Sequence, residues 1–371
     1  MPINHAMKED RIYSYDLLKS IAIYLVCFYH FGLPAGSSDT DILNNHHYAI
    51  YFNYFFIGIS SIGVPLFFMV NGALLLNKPF DIKKHIYKII LLFLLYIIWG
   101  VITLAIEVPI FHDHYSTIEF IKAVYYPKQG RSDHLWFLPA LIYVYLLFPL
   151  VKSLLDKNEK ALSYYLFGMI FIFTFGIVFL NDLTNILGYF LNSNTLKNKQ
   201  LSSFPWFNPF NLYFSYALVY FITGGWLARF VKNKNFKTIY CLCLLLLSLC
   251  LLFLFGLMKT NITGAVYDTV WYGYDSIMTL AMTISVFVLC SKISVYNSTF
   301  RKIITAIGAN TLGIYFIHYP LGNWLKGLYG EQWLHNHFFL SVLYSLLLMF
   351  LSLLISLIIK RIPLIGKLVK I

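Results

Sequence analysis

Apolar and polar positions along the chain sort into long apolar runs separated by short polar breaks. Ten runs reach the roughly 20 residues that a bilayer core of about 30 Å requires of a helix. They cover 14–33, 58–77, 86–108, 134–154, 161–181, 206–230, 238–258, 266–290, 303–323 and 338–360. Their apolar positions are contiguous rather than alternating, which predicts helices and not barrel strands. The expected fold is therefore all-α, a polytopic membrane helical bundle of about ten transmembrane helices. Among the breaks, TIEFIKAVYY at 117–126 predicts a short interfacial helix. The longest breaks, 109–133 and 182–205, are too short to hold a core of their own. A single integral-membrane domain over 1–371, with no separate soluble domain, is expected.

Composition agrees with the pattern. Hydrophobic residues make up 59% of the 371 positions and charged residues 12%, against about 25% charged in a soluble domain. A soluble enzyme, a disordered tail and a disulfide scaffold are excluded. The net charge of +12 then becomes a question of topology. Alternating the ten runs across a bilayer puts 21 of the 28 Lys and Arg on one side and 7 on the other. Basic residues concentrate in cytoplasmic loops, so both termini are expected inside. The charge reads as orientation, and no nucleic-acid partner is expected. The first run follows a polar start and has no small-residue cleavage site, so it is expected to stay as a helix. The five cysteines all fall within runs and have no metal-ligand spacing.

Against this background, ionisable residues inside a run are costly and become candidates for function. The first run holds Asp16, Lys19 and His30. At 100° per residue, His30 lies about 20° from Lys19 and about 40° from Asp16, so all three share a face. Lys19 and His30 are about 16 Å apart along the axis, one near the inner surface and the other in the outer half. The plain alternative is an interfacial Asp16–Lys19 ion pair with His30 capping the outer end. His134 and Trp136 open the fourth run, with His134 close in depth to His30; Trp136 could equally be a belt aromatic. Tyr315 and His318 lie near one flank of a later run. Asn71 is a mid-run amide beside Gly72, where helix packing is the competing reading. Arg229 closes another run at its inside end, where it also fits simple anchoring. No zinc, phosphate-loop or dinucleotide motif appears, and no metal is expected.

These residues together resemble membrane acyltransferase family 3, whose members O-acylate bacterial surface sugars. The resemblance covers essentially the whole chain. Asp16, Lys19 and His30 match the family's first-helix acidic residue and its basic residue spaced from a histidine. HLWFL at 134–138, with Leu141, Tyr145 and Pro149, matches a second motif. Phe67 to Leu75 match a third, and Tyr315 with His318 a fourth. Two positions depart from the pattern. Lys19 stands where Arg is usual, which keeps the charge but loses the planar fork. Asn71 stands where Ser is usual.

The resemblance implies an acyl-CoA donor, acetyl-CoA in its simplest form, reached from the cytoplasm of a bacterial inner membrane. It implies a sugar hydroxyl of an exopolysaccharide, or of a lipid-linked glycan, as the acceptor on the outer side. Biofilm-polysaccharide and common-antigen O-acetyltransferases are the nearest pattern, with succinyl as an alternative acyl group. The machinery that makes or exports the polysaccharide is an implied partner. In this reading Lys19, Arg11 and Arg229 hold the CoA phosphates and Asp16 orients Lys19. His30 is the general base, with an acyl-histidine as the rival mechanism. Asn71, Tyr315 or Trp136 stabilises the oxyanion, and His134 and His318 complete the catalytic set. A polysaccharide exporter without acyl transfer is the competing class, since ten spans and intramembrane charge also fit it.

Overall fold

In lipid every backbone polar group must be satisfied internally, which a helix does within one segment. The computed structural model of the chain describes residues 12–31, 48–126, 132–157, 159–197, 208, 210, 213–230, 236–293, 297–329, 338–363 and 365–370. Each of the ten apolar runs carries a helix, and there is no strand among the described residues.

The first helix, α1, is Tyr13–Phe31. Helix α2, Tyr48–Ile57, continues through a tight turn at Gly58–Ile62 into α3, Gly63–Leu75. Next come α4, Ile82–Phe111, and the short α5, Thr117–Tyr125. A 3-10 turn at Asp133–Trp136 opens α6, Phe137–Asp156. Helices α7, Lys160–Phe171, and α8, Ile177–Phe190, form one span broken by a π-helical turn at Ile172–Gly176. The small α9 is Asn194–Lys197. The remaining helices are α10, Tyr216–Phe230; α11, Thr238–Thr263; α12, Ile277–Ser291; α13, Ser298–Tyr329; and α14, Phe338–Ile359.

Six of the described helical segments are long and apolar enough to cross a membrane by length and composition alone. Helices α1 and α13 fall outside that group because they carry the polar residues. Helices α10 and α12 fall outside it because each has only 15 residues. The chain is a multi-pass membrane protein.

Two boundaries differ from the apolar pattern. In the run at 206–230 the described residues 213–215 form a turn ahead of the helix at Tyr216, with 206, 207, 209, 211 and 212 outside the described residues, and the run at 266–290 becomes helical only at Ile277. In the second case the cause is local. The Asp268 carboxylate accepts the backbone N–H groups of Val270 and Trp271, both at 2.9 Å, a side-chain turn that competes with helix. Residues 264–276 therefore form no α-helix, with one 3-10 turn at Trp271–Gly273. The short helix expected at 117–126 is present as α5, stabilised by a reciprocal cap between Ser116 and Glu119.

Helix α1 lies at the centre, packed against α13, α3 and α14. Small residues allow the closest approaches. A methyl group on Gly72 of α3 would overlap the Phe221 carbonyl of α10, and one on Gly224 of α10 would overlap the Met69 carbonyl of α3. After α14 the chain folds back through a turn at Ile365–Val369. There the Leu368 carbonyl accepts the Trp99 indole N–H at 2.8 Å, and Trp99 stacks on Phe316.

Candidate functional site

Lys19 and His30 both meet α13, at two different depths. At the first depth the Lys19 ammonium lies 3.0 Å from the Asp16 carboxylate and donates to the Gly308 carbonyl at 2.8 Å. Asp16 is only 2% exposed. Gly308 lets the helices touch, since a Cβ there would sit 2.7 Å from Asp16 Cβ. Ser20 adds a bond to the Ile304 carbonyl. This is the ion pair that helical spacing leads one to expect, here with a backbone carbonyl as third member. An ammonium has three donors, so one remains beyond Asp16 and Gly308, and the Lys19 side chain is partly exposed.

At the second depth three imidazoles come together. The His30 ring lies 5.5 Å from His318, and His318 lies 5.9 Å from His134. Tyr319 stands between them. It stacks on His134 at 4.3 Å and meets His30 edge-on at 5.2 Å. His134 and His318 are buried, while His30 is partly exposed.

Each ring is held differently. His318 Nδ1 is 2.6 Å from the Tyr315 carbonyl and 3.2 Å from that of Ile314. A carbonyl only accepts, so Nδ1 carries the hydrogen and Nε2 of the neutral ring presents a lone pair. His134 is held by its backbone: the Tyr315 hydroxyl donates to the His134 carbonyl at 2.5 Å. One residue pair earlier, the Ser132 hydroxyl donates to the Ala123 carbonyl and ties the turn to α5. Both ring nitrogens of His134, and Nε2 of His318, are buried without a hydrogen-bond partner among the described residues. Such groups cost about 1–3 kcal/mol each when left unmet, and they mark a place built to receive a polar partner.

The other residues singled out from sequence lie elsewhere. Trp136 is buried against Trp271, Tyr274 and Phe214. Asn71 donates to the Phe67 carbonyl and accepts from the Tyr145 hydroxyl, among α3 and α6 near the end of the bundle that holds Lys152 and Arg229. Arg229 gives its Nε to Asn77 at 2.6 Å and its Nη2 to the Leu76 carbonyl. Lys152 donates to that same carbonyl at 3.1 Å and pairs with Asp156. Both cations therefore cap the end of α3. Arg11 lies outside the described residues. Tyr315 spends its hydroxyl on His134 rather than aiming it at a reacting atom.

Three features escaped the sequence reading. Tyr319 adjoins His318 in sequence, but only the fold stacks it on His134. Glu107 is fully buried and accepts from Asn323 at 2.9 Å; a carboxylate inside an apolar run was the available signal. The Tyr29 hydroxyl donates to Asp268 at 2.5 Å, tying the irregular stretch to α1 beside His30. Among the described residues no group of three or more His, Cys, Asp or Glu is placed to hold a metal ion.

A family model described as an acyltransferase domain matches residues 12–361. The chain belongs to membrane acyltransferase family 3. The match runs from the start of α1 to just past α14, so this acyltransferase carries both the Lys19 and the histidine levels inside the family domain. No curated protein and no solved structure gives a match.

Proposed function

We propose that this acyltransferase moves an acetyl group from cytoplasmic acetyl-CoA to a hydroxyl of a cell-surface or exopolysaccharide sugar, on the outer side of a bacterial inner membrane. The observation that carries the reading is the trio of His30 on α1, His318 on α13 and His134 in the turn ahead of α6, gathered at one level; the ring nitrogens of His134 and Nε2 of His318 have no hydrogen-bond partner among the described residues.

In this reading His30, the partly exposed ring, takes the proton of the sugar hydroxyl as its oxygen attacks the thioester carbonyl. The C–S bond then breaks and the CoA thiolate leaves with the electron pair. A buried N–H of His134 is suited to the oxyanion that develops, because a fixed donor in a dry site acts most strongly there. His318, whose ring lies 5.5 Å from that of His30 and whose Nε2 holds a lone pair, is the next acceptor for the proton. Lys19 supports the donor end through its remaining N–H. Asp16 holds it in place.

The test is His30→Ala in membranes where insertion has been verified, with sugar acylation read by mass spectrometry of the surface polysaccharide. Loss of a 42 Da increment (about the mass of one acetyl) from one glycan is the expected result. Undiminished acylation would sink the assignment. Loss of an increment of about 100 Da would instead make succinyl the acyl group.

A further inference from the structure

Residues 266–276 form no α-helix, only a 3-10 turn at Trp271–Gly273, where the apolar pattern leads one to expect the start of a span. Backbone of that kind is tolerated at membrane depth only where it is covered by protein or lines a water-filled space. This stretch carries Asp268 and Asp275 with Tyr267, Trp271, Tyr272 and Tyr274, a composition suited to a wet mouth rather than to lipid.

It is fastened on both sides of the histidines. On one side the Tyr29 hydroxyl, next to His30, bonds Asp268 at 2.5 Å. On the other the Trp271 ring meets Trp136, two residues after His134, edge-on at 5.1 Å. Tyr213 joins Trp271 at 6.4 Å, and Phe214 stacks on Trp136. Trp271 is partly exposed, Tyr213 is 53% exposed and Tyr272 is 60% exposed. A set of aromatic rings thus runs from Trp136, two residues after His134, through Trp271 to Tyr213, each tilted or edge-on to the next, with Trp136 buried and Trp271 and Tyr213 reaching solvent-accessible surface.

We infer that Trp271 and Tyr213 form the platform on which a pyranose ring of the acceptor glycan lies. This rests on the acyl-transfer reading above and names its acceptor subsite. One face of a pyranose presents C–H groups and its rim presents hydroxyls. An aromatic face next to polar loop groups matches that division, as amphipathic rings do in binding sites generally. Asp268 offers no unengaged oxygen to a ligand cation, because one is bonded by Tyr29 and the other by the N–H groups of Val270 and Trp271.

The experiment uses the full-length protein in membranes with acetyl-CoA. The acceptor is oligosaccharide cut from the unacylated surface polysaccharide of a deletion strain. KM is measured separately for each substrate. Trp271→Ala is expected to raise the acceptor KM about tenfold, with the acetyl-CoA KM unmoved. Trp271→Phe is expected to recover most of the affinity, and Trp271→Leu, which keeps apolar bulk without a flat face, is not. Tyr213→Ala gives an independent second reading in the same direction.

Wild-type transfer with an acceptor KM unchanged in both alanine variants overturns the platform and leaves the acyl-transfer reading standing. Equal loss against both substrates, or full rescue by Leu, overturns it in favour of membrane-interface anchoring or packing. Absence of wild-type transfer to any fraction overturns the acyl-transfer reading itself, and the platform with it.

Discussion

The Tyr315 hydroxyl grips the backbone carbonyl of His134. It joins α13 to the turn ahead of α6 and fixes where the His134 ring can point. Tyr315 is thus a positioning residue. Tyr315→Phe leaves a buried carbonyl unmet, which costs about 1–3 kcal/mol. We expect kcat to fall about tenfold while the acetyl-CoA KM stays near wild type. Steady-state kinetics on folded protein check this, and equal changes in both constants would contradict it.

His318 has a fixed tautomer because two carbonyls claim its Nδ1. Its Nε2 lone pair lies on the same level as His30. His318→Ala is expected to lower kcat by about 100-fold or more, as removal of a proton-handling group does. Binding of acetyl-CoA by the same preparation should be retained. Calorimetric titration with the donor, run beside the activity assay, separates the two.

The contact between α1 and α13 depends on Gly308, where even a methyl group would crowd Asp16. Gly308→Ala should push the helices apart and disturb the Asp16–Lys19 pair. The expected loss is about 1–3 kcal/mol of stability, together with most of the activity. Lys19→Arg, which keeps the charge, should fare better than Lys19→Ala. Thermal unfolding in detergent and acyl transfer are the measurements.

Arg229 and Lys152 both cap α3 through the Leu76 carbonyl. Arg229→Ala is therefore expected to lower thermal stability more than it raises the acetyl-CoA KM. Cations at a helix C-terminus contribute about 0.3–1 kcal/mol. A large rise in the donor KM at unchanged stability would restore Arg229 as a phosphate contact.

Outside the membrane, the Glu119 carboxyl is held below the usual glutamate value of 4.5, first by the Ser116 hydroxyl and then by the Ser116 backbone N–H. A lowered carboxyl contributes stability that is complete above the unfolded value and fades as pH falls through the folded one. α5 should therefore fray as pH falls below the usual glutamate value of 4.5 and through the lowered folded one, and Ser116→Ala should fray it already at neutral pH. Hydrogen exchange over residues 117–125 reports both.

How much of this was legible from the chain follows from range. Helix positions were readable because they depend on local apolar length, and all ten runs carry one. The shared face of Lys19 and His30 was readable because it needs only the helical repeat. The break at 264–276 was not, because Val270, Trp271, Tyr272 and Tyr274 look apolar enough to span; Asp268 was the warning. Arg229 was readable as an inside-end cation, but a sequence cannot say that a carbonyl 153 positions away will accept from it. Tyr319 was missed for the same reason, since stacking on His134 depends on which helices become neighbours.

The Lys19–Gly308 bond spans 289 positions of chain. At 5–20 residues per second, ribosomes need about 15–60 s to make that length. Throughout that interval α1 waits with Asp16, Lys19 and His30 facing partners that have not been synthesised. An ionised helix alone in lipid is costly, so its early escort falls to the insertion machinery or to α3. Prematurely terminated chains lacking α13 should be prime clients for membrane proteases.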